Sequence, residues 1–208
     1  MRKTLCAAAI LLLSCVLSAT VFSQTNVDAL ELYRAGRYAE SIDACLAEIK
    51  ENPQNLESHV VLCWSLVQAK RYDEADSWAD KGRAISKYDP RIIEIQAEAK
   101  YYRGLNEQSL RLFQEYISYA PNGSRIAPVY YFMGELYLRM ARYRHADMAF
   151  SAALQLEGLN AQWWVRLGYA REMAKDYRYA LEAYNKALSL NANQPDAIRG
   201  KDRVTSQL

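Results

Sequence analysis

Little in this chain breaks or bends a helix. Only 8 glycines and 5 prolines are spread over 208 residues, so long irregular loops have few places to form. No low-complexity tract is present. There are two histidines, and no H-x-x-x-H, C-x-x-C, G-x-S-x-G or phosphate-loop pattern occurs. His59 falls in an apolar register and His145 sits in the polar stretch "RYRHAD". The sequence therefore offers no catalytic constellation and no cofactor or metal site, and it reads as a non-enzyme. An excess of one charge is also missing. Lysine and arginine number 26 against 24 acids, and removing residues 1–23 takes away Arg2 and Lys3 and no acid. The remainder is formally neutral, which argues against binding to a nucleic-acid backbone.

The basic surplus belongs to the first segment. Arg2 and Lys3 precede an apolar run from Leu5 to Leu17, followed by small residues and Gln24. This is the layout of a secretory signal peptide over residues 1–23. The run is short for a membrane-spanning helix, which needs about 20 apolar residues, although an uncleaved anchor stays open. Two processing routes are open. "VFS" before Gln24 fits signal-peptidase cleavage, and "LLSC" at Leu12–Cys15 resembles a lipobox with Cys15 as the lipidated residue. Both place the protein outside the cytoplasm: periplasmic in the first case, a membrane-anchored lipoprotein in the second. Membrane contact is expected only through such an anchor or lipid. Beyond residue 23 only Cys45 and Cys63 remain. They are expected either as a disulfide in an oxidising compartment or as two small buried thiols.

What is present in quantity is periodicity. "WVRLGYAREMAKDYRYALEAYNKAL" places Trp164, Leu167, Gly168, Tyr177, Ala180, Tyr184 and Ala187 at spacings repeated upstream. Tyr130, Met133, Gly134, Tyr143, Ala146, Phe150 and Ala153 precede them in step. Further copies carry Ile93, Ala97, Gly104, Ser109 and Phe113; His59, Leu62, Cys63, Tyr72 and Ala75; and Ala29, Leu32, Gly36, Ser41 and Cys45. The units begin near residues 22, 56, 90, 127 and 161, with a three-residue insertion, Ser124 to Ile126, before the fourth. Apolar residues at three-to-four spacing make each unit two helices. Gly36, Gly104 and the "KRYD" and "KDYR" stretches mark the turns inside units, and Pro53 and Pro121 follow second helices. "PDAIRGKDRVTSQL" reads as a more polar last helix, suited to a cap whose outer face stays wet.

The pattern W-x2-L-G-x2-Y followed by A-x3-F resembles the tetratricopeptide repeat, with Arg171 departing from the family's tyrosine. The resemblance implies an all-α, right-handed solenoid of about five helix pairs, at 22–55, 56–89, 90–123, 127–160 and 161–194, with a capping helix over 195–208. The whole of residues 24–208 forms one repeat domain. It also implies a concave groove, lined by first helices, that grips a peptide or protein.

On a helix each residue is turned about 100° from the last. Setting the core face of each first helix inward leaves an opposite face with Trp64, Val60, Val61, Val67 and Gln68 in the second unit. The third contributes Arg91, Glu94, Glu98, Tyr101 and Tyr102. The fourth contributes Tyr131, Phe132, Glu135, Leu138 and Arg139, and the fifth Gln162, Val165, Arg166, Tyr169, Glu172 and Met173. The candidate protein-binding residues are Trp64, Glu98, Tyr101, Tyr102, Tyr131, Glu135, Tyr169 and Glu172, aromatic anchors flanked by charge. The same aromatics could be consumed by packing between units, and the same acids could be a solvated face. The Lys, Arg and Asn set with which some relatives clamp a carboxylate is missing from this surface. Trp163, beside Trp164, is expected at the seam between the fourth and fifth units. The functional expectation is an exported, non-catalytic scaffold of the cell envelope that binds a protein or peptide partner.

Overall fold

A computed structural model describes residues 28–208; the leader over residues 1–23, Cys15 and the opening turn of the first unit lie outside the described residues. The described chain is eleven α-helices and no strand. They are α1 (Ala29–Arg34), α2 (Tyr38–Glu51), α3 (Leu56–Gln68), α4 (Tyr72–Ile85), α5 (Pro90–Tyr102), α6 (Asn106–Tyr119), α7 (Ile126–Arg139), α8 (Tyr143–Leu156), α9 (Ala161–Met173), α10 (Tyr177–Leu190) and α11 (Pro195–Thr205). Consecutive helices pack as antiparallel pairs, and each pair packs on the next.

Two local signals set the helix ends. Asp28, Asn55, Asp89 and Asn160 each accept a backbone N–H at the start of a first helix, satisfying a donor that the helix itself leaves unpaired. Between the helices of a pair, one residue adopts a left-handed conformation: Gly36, Lys70, Gly104, Ala141 or Lys175, with φ of 74°, 60°, 77°, 54° and 65°. The next N–H closes a six-residue loop, as from Arg37 to the Leu32 carbonyl at 2.9 Å and from Arg142 to that of Tyr137 at 2.8 Å. This is a Schellman end, which glycine favours. Two repeats use glycine and three accept the strain of a side chain there.

Inside each pair, small residues let the helices approach. A methyl group on Gly134 would stand 2.5 Å from the Phe150 ring, and one on Gly168 would stand 2.7 Å from that of Tyr184. Where the second helix offers a smaller residue, Cys45 or Ala79, the first helix carries Ala29 or Cys63, and all four are buried. Ser41 and Ser109 donate to the Ala29 and Ala97 carbonyls at 2.8 Å, so a polar residue fits the closest crossing without an unsatisfied group. Cys45 and Cys63 are free thiols; burial pushes that of Cys45 up to about 12.

The buried side chains form four clusters, over α1–α5, α5–α8, α7–α10 and α9–α11. Each shares helices with the next, so the core runs the length of the stack as a solenoid requires. The seam between α4 and α5 is partly polar. Buried Asp76 accepts Gln96 Nε2 at 3.0 Å and Lys100 Nζ at 2.8 Å and also meets Arg103. That explains how Gln96 and Lys100 stand in otherwise apolar positions.

Both tryptophans of the doublet are structural. Trp163 is buried and stacks on Tyr131, centroids 5.0 Å apart and planes 16° apart, at the seam between the fourth and fifth units. Trp164 is only partly buried between α8 and α10, and its indole donates to the Gly158 carbonyl at 2.8 Å. The residue that marks the repeat is thus the more exposed of the two.

Candidate interaction groove

The face of α3, α5, α7 and α9 assigned to the groove divides into packed and accessible parts. Val60, Val61 and Val67 are buried, which corrects their expected place on the groove surface. Trp64 is half-buried and leans on Tyr33 from α1, centroids 5.7 Å apart. Tyr102 is 45% exposed and stacks on Tyr72 at 4.7 Å. Tyr101 packs edge-on against Phe132 at 5.0 Å, with the Arg139 guanidinium 3.7 Å above its ring. Tyr131 lies between Trp163 and Phe150, and burial pushes its phenol well above the usual range. It therefore serves the seam more than the surface. Tyr169 is half-buried, with Arg166 5.4 Å from its ring.

The acids are neither free nor simply solvated. Arg91 holds Glu57 through two bonds of 2.8 Å. Arg125 spans Glu94 and Glu98, with Nε 3.0 Å from Glu94 and Nη2 2.5 Å from Glu98. Arg166 holds Glu135 at 2.5 and 2.8 Å. Arg203 of the capping helix holds Glu172 at 2.6 and 2.8 Å, and the Tyr184 hydroxyl donates to the same carboxylate at 2.6 Å. Each carboxylate comes from a first helix and each guanidinium from the next unit or its approach. Counted from the unit starts, Glu57, Glu94, Glu135 and Glu172 are the second, fifth, ninth and twelfth residues. Steps of three or four residues are single helical turns, so the pairs form a stripe that moves one turn along the first helices with each unit. Bidentate pairs of this kind fix orientation as well as adding energy, so from the second unit onward the stripe ties each unit to the next, least at the exposed Glu57–Arg91 pair.

The second rung differs. Glu94 and Glu98 are both nearly fully buried, yet they share one guanidinium, which is 49% exposed. Burial raises the Glu94 carboxyl well above the ordinary range, the neighbouring Glu98 raises it further, and Arg125 offsets only part of this. Arg125 itself stands above its usual value, because the two carboxylates outweigh the effect of its burial. Arg125 comes from the α6–α7 connection, the one lengthened by the three-residue insertion. It occupies the N-cap position of α7 and makes no capping bond. Two residues earlier in the same turn, a methyl group on Gly123 would collide with the Tyr116 hydroxyl.

These residues border a cleft of about 480 Å³ lined by Tyr33, Trp64, Ile95, Glu94, Glu98 and Arg125. Of the eight residues expected to bind, Trp64 and Glu98 meet in this cleft, and Tyr101 and Tyr102 adjoin it along α5. Tyr131, Glu135, Tyr169 and Glu172 stand further along the stack, the two acids already paired. Sequence reasoning missed Tyr33, Arg125 and Arg203. A recurrent signal was available for the arginines: Glu94, Glu135 and Glu172 are each followed by arginine 31 residues later. Among the described residues no group of three or more His, Cys, Asp or Glu side chains is arranged to hold a metal ion. No described helix is long and apolar enough to cross a membrane.

No curated protein matches the chain in sequence. Solved structures match it in fold. MamA from Desulfovibrio magneticus RS-1 superposes with a TM-score of 0.71 at 17% identity, over 80% of this chain and 93% of that one. YrrB, described as a TPR protein with an unusual peptide-binding site, gives 0.71 at 11% identity over 80% and 84%. PilF from Pseudomonas aeruginosa gives 0.74 at 14% identity over 86% and 80%. Identities this low speak for the fold alone. The tetratricopeptide-repeat family model matches residues 28–90 and 132–198, more than half of the chain, and with the helix pairs, small-residue crossings and capping helix it shows that the chain belongs to the tetratricopeptide-repeat family.

Proposed function

We propose that this chain is a non-catalytic scaffold of the cell envelope that receives a peptide or protein partner along the face of α3, α5, α7 and α9. The observation that carries the reading is the pairing of a rigid frame with accessible aromatics. The ion-pair stripe and the shared core hold the units in one arrangement, and Trp64, Tyr102 and Tyr169 remain partly open on that face. A preformed surface loses little entropy on binding, and aromatic side chains set among charge are favoured at recognition sites. YrrB, which shares the fold, is described as having a peptide-binding site. The leader over residues 1–23 supports export to the periplasm, and "LLSC" supports the alternative of a lipoprotein assembly factor anchored through Cys15.

The test is crosslinked capture of envelope proteins, with wild type compared against Trp64→Ala/Tyr102→Ala/Tyr169→Ala. Tyr131 is left intact because its truncation would disturb the seam with Trp163. Loss of the specific partners from the folded triple variant is expected. Retention of all of them would remove the groove from the function. Incorporation of labelled fatty acid, abolished by Cys15→Ala, distinguishes the anchored form from the soluble one.

A further inference from the structure

The cleft beside α5 has a charge arrangement that the other rungs of the stripe lack. At Glu57, Glu135 and Glu172 the main partner is one guanidinium carried by a helix, Arg91, Arg166 or Arg203. At Glu94 and Glu98, two carboxylates one helical turn apart share a single guanidinium that a turn delivers. The acids are fixed in the floor and the cation lies across them at the solvent boundary. Arg125 makes no capping bond, like Arg37, Arg71 and Arg142 at the starts of second helices, but it is the one arginine that opens a first helix. The other first helices begin at Asp28, Asn55, Asp89 and Asn160, whereas a cation at a helix N-terminus opposes the helix dipole. What Arg125 supplies is its side chain in the cleft.

Building on the groove reading, we propose that the Glu94–Glu98 pair is the receiving site for an arginine side chain of the partner, and that Arg125 is the built-in occupant that this arginine displaces. The structure itself demonstrates that a guanidinium fits across both carboxylates. The cleft's other lining has the chemistry to hold the rest of such a residue: Trp64 and Tyr33 are aromatic rings of the kind that take a guanidinium or its aliphatic stem, and Ile95 and Pro90 add apolar surface. Exchange conserves the ion pairing. The partner's cation replaces Arg125, whose half-exposed side chain passes into water without leaving a buried charge unpaired. Arg125 thus keeps the empty groove stable and competes with weak ligands. A segment with arginine between apolar residues satisfies both the acids and the aromatic wall, and an acidic segment does not.

The probe is a blocked five-residue peptide, glycine-phenylalanine-arginine-phenylalanine-glycine, titrated calorimetrically against the protein beside its analogue with citrulline, the neutral isostere of arginine. Charge-assisted hydrogen bonds predict at least about tenfold weaker binding of the citrulline peptide. Arg125→Ala removes the competitor and is expected to bind the arginine peptide about tenfold more tightly, while Glu98→Gln weakens it by a similar factor. If Arg125→Ala does not fold, the two peptides against wild type and Glu98→Gln still decide the matter. Equal binding of both peptides, or no gain in a folded Arg125→Ala, overturns the arginine site. If that equal binding is also lost in Trp64→Ala, the groove reading stands without it. No binding of either peptide likewise overturns the arginine site and leaves the groove to the partner-capture experiment.

Discussion

Tyr184 is held in a slot with no free side, and this makes Gly168→Ala a sharp test of the packing. A methyl group at Gly168 would lie 2.7 Å from Cε1 and 2.8 Å from Cδ1 of the ring, where ordinary contact begins at 3.4 Å. The ring would have to retreat by about 0.7 Å, a distance over which repulsion is steep. Its way out is blocked by Gly200 of α11, whose own added methyl would stand 2.5 Å from Cε1, and by the hydroxyl's 2.6 Å bond to Glu172. Overpacking of this kind costs about 1–3 kcal/mol; with both ways out blocked the upper part of that range, about 2–3 kcal/mol, applies, and the better helix propensity of alanine returns about 1 kcal/mol. The net expectation is a loss of about 1–2 kcal/mol, concentrated in α9–α11 because solenoid units couple mainly to their neighbours. Native-state hydrogen exchange is the suitable assay, since a repeat array need not unfold in one step. Protection in α10 and α11 should fall about five- to thirtyfold, with α2–α4 unchanged. Shortening the ring in Gly168→Ala/Tyr184→Leu should show favourable coupling of about 1 kcal/mol or more. Protection that stays the same or rises in Gly168→Ala would refute the idea of a closed slot.

Ala141→Gly should stabilise the protein by about 0.5–1 kcal/mol in urea unfolding, because Ala141 pays for a φ of 54° that glycine adopts freely. Asp76→Ala should cost about 3–5 kcal/mol by leaving Lys100 without its buried partner; a loss below 1 kcal/mol would show that the α4–α5 seam tolerates an apolar replacement. Two carboxyls should give opposite slopes of stability with pH. Burial raises Glu94, so its contribution is fullest below the ordinary carboxyl range and is lost as pH rises through its elevated value. Burial also favours protonation of Glu172, but the bonds from Arg203 and Tyr184 outweigh it and depress the group. Its contribution is present above the ordinary range and is lost as pH falls through the lowered value. Unfolding curves of Glu94→Gln and Glu172→Gln across pH 3 to 8 should each flatten the corresponding slope.

The sequence by itself determined the repeat. Apolar residues at helical spacing, Gly134, Gly168 and Ala97 at the crossings, Pro53 and Pro121 after second helices, and the polar last helix are local features repeated with one period, and each is legible without a partner. The same regularity placed Trp163 at a seam. Tertiary structure decided which groove residues stay accessible. Helical phase assigns a side chain to a face but not its neighbour across the gap. Val60 and Tyr131 lie on the groove side in angle and are claimed by packing, whereas Trp64 and Tyr102 keep an open edge. The acids depended most on the third dimension. Glu94 and Glu98 look like an exposed pair on one helix, and only the stacking of units, together with a turn lengthened by three residues, brings Arg125 across them. A charge is read from one residue, but its burial and its partner depend on chain about thirty residues away.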